Sequence, residues 1–275
     1  MSTSSPRRNL LRISAFALPL TALLRGQYLF GAERPDDQSG SYQPVPDVFP
    51  TQPPELAREM VTVAHFDLNR VKELVQARPS LARAAWDWGF GDWESALGGA
   101  SHMGNRAIAE YLISKGARPS LFSAAMLGQL EVVKAFVAAQ PDVQRIRGPH
   151  SISLLAHAKA GGERARPVFE YLQALGGADA EPQVPVSEEE AAAYSGTYNF
   201  GIGASQQIEV TVERGQVIWT RKGTMGRPLF HLGKREFYPL GAEAVRIRFK
   251  ETAGEMLMTM KDADWELTAQ RKMKK

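Results

Sequence analysis

The 275-residue chain is 44% hydrophobic and carries 33 Lys and Arg against 30 Asp and Glu, for a net charge of +3. It has no cysteine, which excludes disulfides and thiolate metal sites and leaves apolar burial to supply stability. The positive excess is local: Arg7, Arg8, Arg12 and Arg25 precede the first acid, Glu33, so removing those four from +3 leaves −1 and little basis for a nucleic-acid surface.

In chain order, Arg7-Arg8-Asn9-Leu10-Leu11-Arg12 leads into an uncharged apolar run over residues 13–24. That run is too short to span a bilayer comfortably and sits where the apolar core of a secretory signal sits. The segment resembles a twin-arginine export signal, which implies delivery of a folded chain to the periplasm or beyond. Residues 1–32 are read as this signal. Phe30-Gly31-Ala32 puts a bulky side chain where a cleavage site wants a small one, so an uncleaved N-terminal anchor stays open as the one expected membrane attachment. Residues 33–54 hold six prolines and read as an extended linker.

Residues 55–180 contain an internal repeat. Gly128 with Val132, Val133, Phe136 and Val137 matches Gly104 with Ile108, Ala109, Leu112 and Ile113. Weaker copies run from Thr62 to Pro79 and from Leu154 to Ala178. In each copy small residues let two helices pack, a turn separates them, and the second helix carries an apolar stripe at i, i+3, i+4. One pair cannot bury its own apolar face, so the pairs must stack. Ala124-Ala125, Gly128 and Val132-Val133-Lys134, with the closing Gly116-Ala117 and Gly177-Ala178-Asp179, resemble the ankyrin-repeat family. The resemblance implies a stack with a protein-binding surface. The step from Gly104 to Gly128 is shorter than the family period, which predicts a missing finger, and the step from Phe66 to Gly104 is longer, which predicts an insertion.

That insertion holds three of the five tryptophans: Trp86, Trp88 and Trp93, with Phe90 between them. Aromatic side chains on a loop can anchor a partner, so these four are the candidate partner-binding residues. The competing reading is that they plug the gap left by an irregular repeat.

Residues 181–275 change period. Ser187 begins a capping box with Glu190 and a short helix to about Tyr194. Beyond it, alternation at Ile208, Val210 and Val212, at Val245, Ile247 and Phe249, and at Met256, Met258 and Met260 predicts seven or eight short antiparallel strands in a small barrel or sandwich. Tyr194-Ser195-Gly196-Thr197-Tyr198, Glu213-Arg214-Gly215-Gln216 and Phe237-Tyr238-Pro239-Leu240 resemble the lipocalin-like β domain that follows the catalytic domain of serine β-lactamase-like hydrolases. Such a domain carries no catalytic residues in that family. A small apolar ligand among Trp219, Phe230, Phe249 and Met258 is the alternative use of this barrel.

The chemistry of those hydrolases needs Ser-x-x-Lys, and none occurs in the chain. There is no Gly-x-Ser-x-Gly or phosphate-binding loop, and His65, His102, His150, His157 and His231 lack ligand spacing. His102 and His157 are expected to make local backbone hydrogen bonds. The expected protein is α+β with two domains, exported, without catalytic residues, cofactor or metal, acting as a protein-protein interaction module.

Overall fold

The computed structural model describes residues 47–179, 184–203 and 206–272; the segment expected to be an export signal and most of the proline-rich linker lie outside them. Four helical hairpins come first: α1 (Pro54–Val63) with α2 (Leu68–Ala77), α3 (Ala96–His102) with α4 (Arg106–Ser114), α5 (Leu121–Met126) with α6 (Leu130–Ala139), and α7 (Leu154–Ala160) with α8 (Arg166–Leu175). Short polar side chains start several of them. The Asp67 carboxylate accepts from the Arg70 N–H, Ser95 from Gly98, and Ser153 from Ala156, each relieving an orphan donor of a first turn. Ser120 and Ser123 cap α5 reciprocally.

Glycine is required at two inter-helix turns. Gly104 and Gly128 have φ of +71° and +76°, and a Cβ on either would collide with the backbone carbonyl of Ala160 or Arg164 respectively. The first two hairpins share one core, around Met60, Val71, Leu97, Ile108 and Leu112; the last two share another, around Ala125, Val133, Leu154, Val168 and Leu172. The short step between Gly104 and Gly128 appears as a strandless connection over residues 115–120.

The long step becomes a β-hairpin, β1 (Ala85–Asp87) with β2 (Trp93–Ser95). Gly89, Phe90 and Gly91 at its tip all have positive φ, and the Asp87 carboxylate accepts from the Gly89 N–H at 2.8 Å. Two glycines here let the chain reverse within a few residues.

Helix α9 (Glu188–Tyr194) precedes eight strands: β3 (Gly196–Asn199), β4 (Gln207–Glu213), β5 (Gln216–Arg221), β6 (Arg227–Gly233), β7 (Glu236–Pro239), β8 (Arg246–Thr252), β9 (Glu255–Asp262) and β10 (Trp265–Arg271). They form a closed antiparallel barrel in which β10 pairs with β3. Ser187 caps α9 at the Glu190 N–H, while Glu190 turns its carboxylate to the Tyr194 hydroxyl instead of completing the box. The strand alternation drives Ile208, Val210, Ile247, Phe249, Met256, Met258 and Met260 into the interior, where side chains fill an eight-stranded barrel. Hairpins and barrel belong to one compact unit, Pro46–Lys275. Among the described residues no helix is long and apolar enough to cross a membrane.

Candidate metal centre

Three histidines remote in sequence meet at a buried glutamate. His65 follows α1, His102 ends α3, and His150 lies in the turn before α7. Glu94, in the middle of β2, is fully buried. One donor atom from each of the four lies within 4.8 Å of the others. His102 Nε2 is 2.8 Å from Glu94 Oε1 and 3.1 Å from His65 Nε2, while His65 Nε2 and His150 Nε2 are 3.5 and 3.4 Å from the carboxylate. Four ligands on a tetrahedral zinc ion at about 2.0–2.1 Å would be separated by about 3.3 Å.

The opposite faces of these groups are already committed. His65 Nδ1 bonds the Val61 carbonyl at 2.9 Å, and His150 Nδ1 bonds Asp92 Oδ2 at 2.8 Å. Those partners accept from the Nδ1–H of each ring and turn each Nε2 toward the Glu94 carboxylate, the arrangement that supports a ligating imidazole once Nε2 releases its proton. Trp88 Nε1 donates to Glu94 Oε2 at 2.8 Å and orients the carboxylate. Gly99 makes room for the His65 ring, since a Cβ there would lie 2.7 Å from its Cε1.

The field in the cluster favours cations. Burial alone would raise the Glu94 carboxyl, yet hydrogen bonds from His102, His150 and His65 hold it well below the usual carboxylate range. Burial opposes protonation of His65 and His150 as well. Glu94 nevertheless raises His65, and Asp92 with Glu94 raises His150 to about 9. His157, beside His102 at 6.3 Å between ring centroids, behaves oppositely: burial pushes it down to about 4, so it stays neutral.

These placements correct several expectations. The histidines lack ligand spacing along the chain, but stacking of the hairpins supplies it in space. His157 does bond a local backbone carbonyl, Ser153, whereas His102 bonds Glu94 and His65 instead. Of the four aromatic residues expected to project, only Trp93 is well exposed, at 64%. Trp86 and Trp88 pack against the core of the first hairpins, and Phe90 meets Trp219 of the barrel edge-on at 5.4 Å. The insertion is drawn inward because Trp88 has a buried acceptor to satisfy and Phe90 an apolar partner. Trp219, Phe249 and Met258 belong to the packed barrel core, while Phe230 alternates to the other face of β6 and stacks on Tyr238. The four therefore do not line one shared cavity.

Sequence reading missed Glu94 and Asp92 altogether. The available signal was positional: His65, His102 and His157 each fall in or just after the first helix of a hairpin, so stacking brings them side by side.

Fold and cluster together define a helical-hairpin and β-barrel protein with a three-histidine, one-glutamate centre. No protein-family model matches the chain, and no curated protein matches it.

Proposed function

We propose that the protein binds a divalent transition-metal ion, zinc being the best match to the donors, through His65, Glu94, His102 and His150. The observation that carries this reading is the inward aim of the Nε2 atoms, with Nδ1 of His65 and of His150 engaged elsewhere. Imidazole with one carboxylate suits zinc and its neighbours better than magnesium or calcium. Four protein donors complete a tetrahedral zinc shell, the pattern of a structural centre, whereas hydrolytic zinc keeps a position open for water. The ion then ties the first two helical hairpins to the β1–β2 hairpin and to the turn before α7, and leaves the outer surface of the stack for recognition. The test is metal analysis of purified protein, followed by zinc titration calorimetry after chelation. One tightly bound ion, lost in His102→Ala, is expected. Protein that holds no metal and takes up none at micromolar zinc would sink the reading.

A second reading, compatible with the first, is an exported protein-protein interaction module on an ankyrin-like stack. Val132 and Phe136 favour it: four residues apart on α6, they are 42% and 46% exposed and form an apolar pair on one helix face. Cross-linking in an envelope fraction should capture a partner with wild-type protein and lose it with Phe136→Glu. Equal capture by both would remove this surface from consideration.

A further inference from the structure

We infer that Arg227, a barrel residue, is a positioning residue for the metal centre, so that metal binding and seating of the barrel on the hairpins are one coupled equilibrium. The inference rests on the metal reading above and adds its control.

Arg227 lies at the start of β6, is 7% exposed, and reaches out of the barrel into the β1–β2 hairpin. Its guanidinium donates to the Trp88 carbonyl at 2.5 Å, to Asp92 Oδ2 at 3.2 Å and to the Leu240 carbonyl at 2.7 Å, and it sits over the Phe90 ring. Two of these acceptors lie directly behind metal donors. Trp88 is the residue whose indole N–H holds Glu94, and Asp92 is the carboxylate that holds His150 through both its ring and its backbone N–H. One planar, multidentate cation therefore fixes the supports of two of the four donors, a task that a lysine point charge does not reproduce.

The barrel grips the same segment a second time. His150 and Ser151 have φ of +58° and +54°, a left-handed conformation that non-glycine residues adopt at a cost. Ser151 accepts from the Gly241 N–H at 2.8 Å and donates to Glu243, both in the β7–β8 loop. Gly241 itself, at φ +78°, has no Cβ to push Asp92 away. The ring of His150 is thus aimed by a strained turn that the barrel holds in place. An ion that binds only the assembled centre must, by linkage, tighten the barrel's seat, and loosening the seat must weaken the ion.

The experiment compares wild type, Arg227→Ala, Arg227→Lys and Met258→Ala as full chains. Met258→Ala serves as a control that destabilises the barrel core away from the junction. Cobalt(II) and zinc affinities are measured by titration, the visible cobalt spectrum reports ligand geometry, and amide exchange reports β6 and β7 with and without zinc. The expected results are a 10–100-fold weaker affinity in Arg227→Ala, the range seen when outer partners of metal ligands are removed. An altered cobalt spectrum, little rescue by lysine and zinc-dependent protection of β6 and β7 in wild type are also expected, with near-normal affinity in Met258→Ala. Unchanged affinity and spectrum in Arg227→Ala, or equal weakening in Met258→Ala, would overturn the inference while leaving the metal reading intact. Wild-type protein that binds neither ion overturns the metal reading itself, and the inference with it.

Discussion

His65 Nε2 and His102 Nε2 face each other at 3.1 Å, although 37 residues separate the two histidines. With His65 Nδ1 engaged by a backbone carbonyl, its Nε2 lone pair faces His102 Nε2, whose proton is also within reach of the Glu94 carboxylate, so a proton, or a metal ion in its place, must lie between the two nitrogens. The buried Glu94 carboxylate beside them sets the same demand for positive charge. A metal ion answers both.

Zinc should therefore raise the melting temperature, and the rise should depend on the cluster. At a free concentration 1,000-fold above its dissociation constant, a ligand specific for the folded state adds about 4 kcal/mol. For a chain of this size that corresponds to roughly 10 °C. Thermal scans with zinc and with chelator should show such a gap in wild type and its collapse in His65→Ala and His102→Ala.

His157 predicts a pH effect of definite sign. Its folded-state value of about 4 lies below the ordinary 6.5, so between those values the unfolded chain binds a proton that the folded chain refuses. Stability is lost as pH falls from about 6.5 to about 4, by about 3 kcal/mol over the whole window. Denaturant titrations across that window should show a smaller acid loss in His157→Gln than in wild type; parallel curves would contradict the assignment.

The hairpins and the barrel were legible because their signals are local. Helical spacing around Val132 and Leu112, the turn glycines at 104 and 128, and strict alternation at Val245, Ile247 and Phe249 each report an element within a dozen residues. The centre was not, because Glu94, His65 and His150 are joined only by the stacking of elements far apart in the chain. Trp88 and Phe90 misled for a related reason. A loop position predicts exposure, but a buried carboxylate and a barrel wall claimed their side chains.

Gly104→Ala and Gly128→Ala should each destabilise by well over 1 kcal/mol, because the added methyl meets both a positive φ and a backbone carbonyl. Gly116, with φ +90° but open space around it, supplies the comparison: Gly116→Ala pays for the conformation alone. Midpoints of chemical denaturation should rank Gly116→Ala above the other two.

Trp88 and Trp93, adjacent in the same hairpin, should separate cleanly. Trp88→Phe leaves Glu94 short of a donor, costing about 1–3 kcal/mol and weakening zinc binding. Trp93→Ala, at an exposed position, should change stability by no more than about 0.5 kcal/mol and leave zinc affinity unchanged. Calorimetry on both variants checks the pair.

The centre also changes what the absence of cysteine means. An ion held by residues 65, 94, 102 and 150 would tie the ends of a long loop of chain together as a disulfide does, but by binding the folded state alone and favouring it by mass action. A covalent bridge over a loop of that length contributes about 4–5 kcal/mol. Here the corresponding cross-link would be reversible, so that the chain's resistance to proteolysis and unfolding would follow the supply of free metal around it and not the redox state of its compartment.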